Sequence, residues 1–106
     1  MSSSGGAGRV DFGVLDRLAA GDQTLMREVL EIFLSESDGW AERLSDDDGQ
    51  SQSDVVHTLM GSGRAVGAHD LVDLCESWEM GEIDDTGPIL DELARVTVEI
   101  RDWLAR

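Results

Sequence analysis

Four stretches of this chain bring apolar residues round at steps of three and four, and apart from an extended residue or two none alternates apolar with polar as a half-buried strand does. The first carries Leu25, Met26, Val29, Ile32, Phe33, Trp40 and Leu44. The second places Val55, Leu59, Ser62 and Val66 on one side, with Val56 and Gly63 flanking them. Leu71, Leu74, Cys75 and Trp78 form the third, and Ile89, Leu93, Val96, Ile100 and Trp103 the fourth. A helix with one apolar stripe must bury it against another. Four such helices joined by short turns close most simply as an up-down bundle. The predicted fold class is all-α: an antiparallel up-down four-helix bundle with a short additional N-terminal helix over residues 10–21, turning Phe12, Leu15 and Leu18 or Ala19 inward.

Punctuation along the chain fits that reading. Gly21 stops the short helix, and Asp22 caps the long one, which is expected to be irregular near residues 37–39. Asp46-Asp47-Asp48-Gly49-Gln50 is a polar turn, after which Ser51 or Ser53 can cap the next helix, Ser51 and Asp54 having capping-box spacing. Gly67 ends or bends that helix, residues 81–87 are a loop, and Pro88 opens the last helix. Trp40, Trp78 and Trp103 stand at core spacings and read as packing residues.

Length and charge narrow the function. With 106 residues, 41% of them hydrophobic, the chain supports one core, read here as a single domain over residues 9–106 behind a flexible tail, residues 1–8. No apolar run approaches the roughly 18 residues that span a bilayer. The tail lacks an export-type apolar segment, so a cytoplasmic location is expected. A formal charge of −15 argues against nucleic acid and anionic lipid as partners. Cys75 is the only cysteine and stands in an apolar stripe, so it is read as structural. All eight cations are Arg; there is no Lys.

The chemistry-bearing feature is His57. On a helical wheel of about 100° per residue it lies opposite the core, in the company of Met60, Gly61 and Arg64. Glycine inside a helix costs about 0.5–1 kcal/mol relative to Ala, and this helix has two within six residues of His57. Gly63, at the edge of the core face, lets a neighbouring helix approach closely. Gly61, one turn beyond His57 on the same face, leaves room for a group the size of a phosphoryl. Asp54, one turn before His57, could fix the imidazole tautomer, although an acid in the first turn more often serves the helix dipole.

These residues resemble the signature of the histidine-containing phosphotransfer (HPt) domain, H-x-L-K-G-[SA]-[SA] followed by a hydrophobic-Gly-[AL] step. His57, Leu59, Gly61, Ser62, Val66, Gly67 and Ala68 fit it. Residues 11–21, Phe33-Leu34, and Leu71-x-x-Leu74-Cys75-x-x-x-Glu79 look like the family's flanking pattern. The resemblance implies a four-helix bundle whose exposed histidine, His57, accepts a phosphoryl group from a receiver domain's aspartyl phosphate and passes it to a response regulator. It also implies partnership with a sensor or hybrid histidine kinase and no kinase activity of the domain's own. No cofactor is expected to be held by the domain, Mg²⁺ being expected from the partner receiver, and the expected state is a monomer. Imidazole chemistry suits the role, because a neutral ring is nucleophilic near pH 7 and phosphoryl transfer depends mainly on positioning and charge stabilisation.

Two positions depart from the signature. Its Lys is Met60 here, and Gly63 stands where the family prefers Ser or Ala. Arg64, seven residues after His57 and about 10 Å along the axis, is the nearest cation on the face and is expected to supply part of the missing charge. Met60 and Asp54 are expected to serve partner docking, with Asp38, Glu42, Ser77 and Glu79 as candidates for its rim. The competing readings are an ordinary surface histidine on a helical adaptor, a pseudo-HPt adaptor that binds a receiver without phosphotransfer, and a metal bundle suggested by Asp54-x-x-His57, whose second carboxylate and histidine half is missing.

Overall fold

The computed structural model describes residues 8–46 and 48–106, so residues 1–7 of the expected tail lie outside the described residues. Five helices follow one another: α1 Phe12–Leu18, α2 Gln23–Leu44, α3 Gly49–Val66, α4 His69–Glu79 and α5 Gly87–Leu104. No strand occurs among the described residues. Helices α2 to α5 form the bundle, each packed on the next and α5 closing back on α2, with α1 laid across α3 and α2.

Local chemistry sets most helix ends. Asp22 accepts a hydrogen bond from the Leu25 amide and starts α2, and Asp11 does the same for α1 through the Gly13 amide. Helix α3 begins earlier than the serines suggest. Its cap is Asp48, which accepts from the Gln50 amide, so Ser51 and Ser53 fall inside the first turns and cap nothing. Gly67, at φ 76°, closes α3 in the left-handed conformation that favours glycine. Helix α2 runs unbroken through residues 37–39 rather than becoming irregular there. Buried Ser37 meets its polar need locally, its hydroxyl donating to the Leu34 carbonyl at 2.8 Å.

The core takes Leu30, Phe33, Trp40 and Leu44 from α2, Val55, Val56, Leu59 and Val66 from α3, Leu71 and Cys75 from α4, and Ile89, Leu93, Val96 and Ile100 from α5. Leu25 and Ile32 do not join it. Both are exposed, Ile32 to 63%, because the apolar arc of α2 is wider than the contact it makes. Trp40 is buried and meets Phe33 edge-on at 5.1 Å, whereas Trp78 and Trp103 are half-buried, Trp103 stacking on Phe12 at 5.4 Å.

Two polar fastenings hold the ends. The Leu44 carbonyl, at the end of α2, accepts from Thr86 Oγ1 at 2.9 Å and Gln52 Nε2 at 3.1 Å, joining α2, α3 and the start of α5. At the other end the residues before α1 act as a strap. The Arg9 and Val10 amides donate to the Glu99 carboxylate at 2.8 and 2.9 Å, and the Asp11 amide donates to the Gly67 carbonyl at 2.9 Å. The Arg9 guanidinium lies 3.1 Å from Asp70 and 3.7 Å from the buried Glu92. No helix of the described residues is long and apolar enough to cross a membrane.

Candidate functional site

Helix α3 presents His57 to solvent, as its wheel position requires. No hydrogen bond or ion pair engages the imidazole among the described residues. Asp54 is exposed, but its carboxylate takes a hydrogen bond from Gln50 Nε2 at 2.9 Å, one turn back and away from the ring, while its carbonyl accepts from Thr58 Oγ1. Asp54 therefore braces the start of α3 in this structure and does not orient His57.

The two glycines beyond His57 have different surroundings. Among the described residues a Cβ added to Gly61 would meet nothing within 4 Å, so the space one turn from the imidazole is open there. A Cβ on Gly63 would lie 2.8 Å from Val72 Cγ2, which is the close helix approach expected of that position. Gly67 is more constrained still, since a Cβ there would run into the Asp11 carbonyl.

Around the open space the side chains divide into three sectors. Met60 is half-buried and packs against the core. Arg64 is exposed and pairs across the turn with Glu76 of α4, Nη2 to Oε2 at 3.2 Å. On the α2 side an apolar groove of about 300 Å³ runs beside the His57 face, lined by Val29, Ile32, Phe33, Glu36, Trp40, Thr58, Ser62, Ala65 and Val66. Sequence reasoning misses that groove. Its signal is Ile32, which the apolar repeat assigns to the core. Asp38, expected on the docking rim, instead lines a groove between α2 and α5 with Ala41, Leu90 and Arg101.

Other ionisable groups stand apart. His69 opens α4, exposed, with Nε2 3.6 Å from Asp11. Burial pushes the Cys75 thiol up to about 12, with the charges of Glu79 and Glu76 adding to the effect, so it is a thiol and not a thiolate near neutral pH. No group of three or more His, Cys, Asp or Glu side chains that could hold a metal forms among the described residues.

An exposed histidine on the middle of a bundle helix, with an open glycine one turn on and a glycine-mediated helix contact below it, is the arrangement the HPt signature describes. The chain belongs to the Hpt domain family, which it matches over residues 28–106. In three dimensions it is similar to the crystal structure of the histidine phosphotransferase ShpA from Caulobacter crescentus, at a TM-score of 0.84 and 34% sequence identity over 92% of each chain. No curated protein matches it.

Proposed function

We propose that this domain is a phosphorelay intermediate in which His57 accepts a phosphoryl group from the aspartyl phosphate of a receiver domain, including that of a hybrid kinase, and passes it to a response regulator. The observation that carries the reading is His57 itself, exposed on α3 with none of the described residues within 4 Å of a Cβ at Gly61 beyond its chain neighbours. In the forward step a ring nitrogen lone pair forms a bond to phosphorus as the bond from phosphorus to the aspartyl oxygen breaks, and the electron pair leaves with the carboxylate. The return step reverses this onto the next aspartate. The domain works as a carrier, since in-line positioning and charge stabilisation supply most of the catalysis in such transfers. The receiver brings the Mg²⁺ and its carboxylate ligands.

Receiver docking is assigned to the His57 face and the groove beside it. The groove continues from Thr58, next to His57, to Ile32, and its lining is mostly apolar. Met60 and Asp54 lie at the margins, and Arg64 is the cation assigned to the phosphoryl group. A monomer in the cytoplasm completes the reading.

The test is incubation with phosphorylated receivers from the source genome. Acid-labile label on the wild type that is lost in His57→Gln is the expected result. Receiver binding without label would instead favour a pseudo-HPt adaptor, the reading that Met60 in place of the signature Lys supports.

A further inference from the structure

Arg64 and His57 are seven residues apart on α3, two turns along one face and about 10 Å along the axis. Helical side chains lean towards the N-terminus, so the Arg64 side chain starts out in the direction of His57. On the path between the two lies Gly61, which has no side chain of its own and where, among the described residues, a Cβ would meet nothing within 4 Å beyond its chain neighbours. Yet the guanidinium does not lie along that path. It is drawn sideways to Glu76 on α4, at 3.2 Å. With side chains 58% and 46% exposed, the pair is weak and readily exchanged.

A phosphoryl group carries more charge than a carboxylate and offers several oxygens to the guanidinium fork. We infer that Glu76 is a positioning residue that holds Arg64 on α4 while His57 is unmodified, and that phosphorylation of His57 draws Arg64 off Glu76, across Gly61, onto the phosphoryl oxygens. The inference rests on the proposed reading of His57 as a phosphoryl acceptor. It gives this chain a counter-charge delivered from two turns away, in place of the fixed one that Met60 cannot provide. An unmodified site meets its receiver with that Arg already neutralised.

The experiment needs no receiver. Phosphoramidate phosphorylates the full chain, carried in a His69→Gln background so that the signal is that of His57, the ring nitrogen of His57 taking the phosphoryl group as ammonia leaves, and phosphorus NMR follows the second ionisation of the phosphoryl group with pH. Arg64→Ala should move that ionisation up and Glu76→Gln should move it down, each by about 0.5 pH unit. Arg64→Lys should fall between wild type and Arg64→Ala. Once Arg64 is Ala, Glu76→Gln should change little, because Glu76 acts through Arg64. Circular dichroism confirms that each exposed-site variant is folded, and Glu76→Ala serves as a second version of the Glu76 change. Equal shifts from Glu76→Gln in both backgrounds, or no shift in Arg64→Ala, overturn the inference while leaving His57 as the acceptor. A His57 that phosphoramidate does not label overturns both. Coupling seen without transfer from any receiver upholds the inference and counts against the relay.

Discussion

Val72 Cγ2 fills the space a side chain on Gly63 would need, lying 2.8 Å from where its Cβ would be. Two residues earlier, Gly61 has no such neighbour among the described residues, although both glycines sit in the same helix. Alanine should therefore have opposite effects at the two positions. Gly61→Ala should raise stability by about 0.5–1 kcal/mol through helix propensity alone. Gly63→Ala should lower it by about 1–2 kcal/mol, because the stiff, β-branched Val72 must shift, and Val72→Ala in the same chain should recover part of the loss. Urea melts of the three variants against the wild type decide the matter; a stabilised Gly63→Ala would contradict it.

Ile32 separates docking from folding. It is 63% exposed on the groove beside His57, so Ile32→Glu should leave the melting temperature nearly unchanged. Placing a charge in the proposed interface should weaken receiver binding about tenfold or more, read by calorimetry. Unaltered affinity would move the docking surface elsewhere. The Val98→Glu variant, also at an exposed apolar residue but on α5, is the control expected to bind normally.

Glu92 makes stability depend on pH in the less common direction for an acid. Burial pushes its carboxyl above the ordinary 4.5; Arg9 opposes the rise, Asp70 adds to it and Arg95 opposes it. One carboxylate oxygen, Oε2, is buried without a hydrogen-bond partner among the described residues. The folded chain therefore keeps a proton on Glu92 over an interval in which the unfolded chain has lost it. The stability this group contributes is fully present below the unfolded value and falls as pH rises through the folded one. Glu92→Gln cannot ionise, so it should exceed the wild type in stability at pH 7, and the gap should close as pH drops below about 4.5. Denaturant midpoints at the two pH values measure this, and a gap of the same size at both would rule it out.

Cys75 should be silent in the folded state. It is fully buried, and its thiol is pushed up to about 12. A chromogenic disulfide reagent at pH 8 should react at the rate of global unfolding, and at once in denaturant. Rapid labelling of native protein would show local opening of α4.

Features of this molecule that depend on neighbouring residues are legible in the amino-acid sequence. The Asp22 cap, the Gly67 stop, the exposure of His57 and the close approach at Gly63 each follow from a wheel or a turn. Features that depend on which helix stands beside which are not. Ile32 and Leu25 continue the apolar repeat of α2, and only the packing of α3 and α5 decides that they stay exposed. The start of α3 differs from the expected one because Asp48, Ser51 and Ser53 are all competent caps, and the aspartate that adds a turn of helix takes the position. The Arg64–Glu76 pair crosses a turn between residues twelve apart and needs the α3–α4 register to be seen. Nothing local in the sequence marks Glu92 as buried, and its side chain is 4% exposed in the fold.

The strap of residues 9–11 bears on where the folding unit begins. The family match starts at residue 28, yet Val10, Leu15 and Ala19 are buried, and the Asp11 amide engages the carbonyl of the glycine that ends the His57 helix. A fragment trimmed to the family boundary would uncover apolar surface on α3 and leave the Gly67 carbonyl and the Glu99 carboxylate without their partners. The residues ahead of the match are thus a tether on the far end of the helix that presents His57, and an expression boundary drawn at residue 28 would cut it.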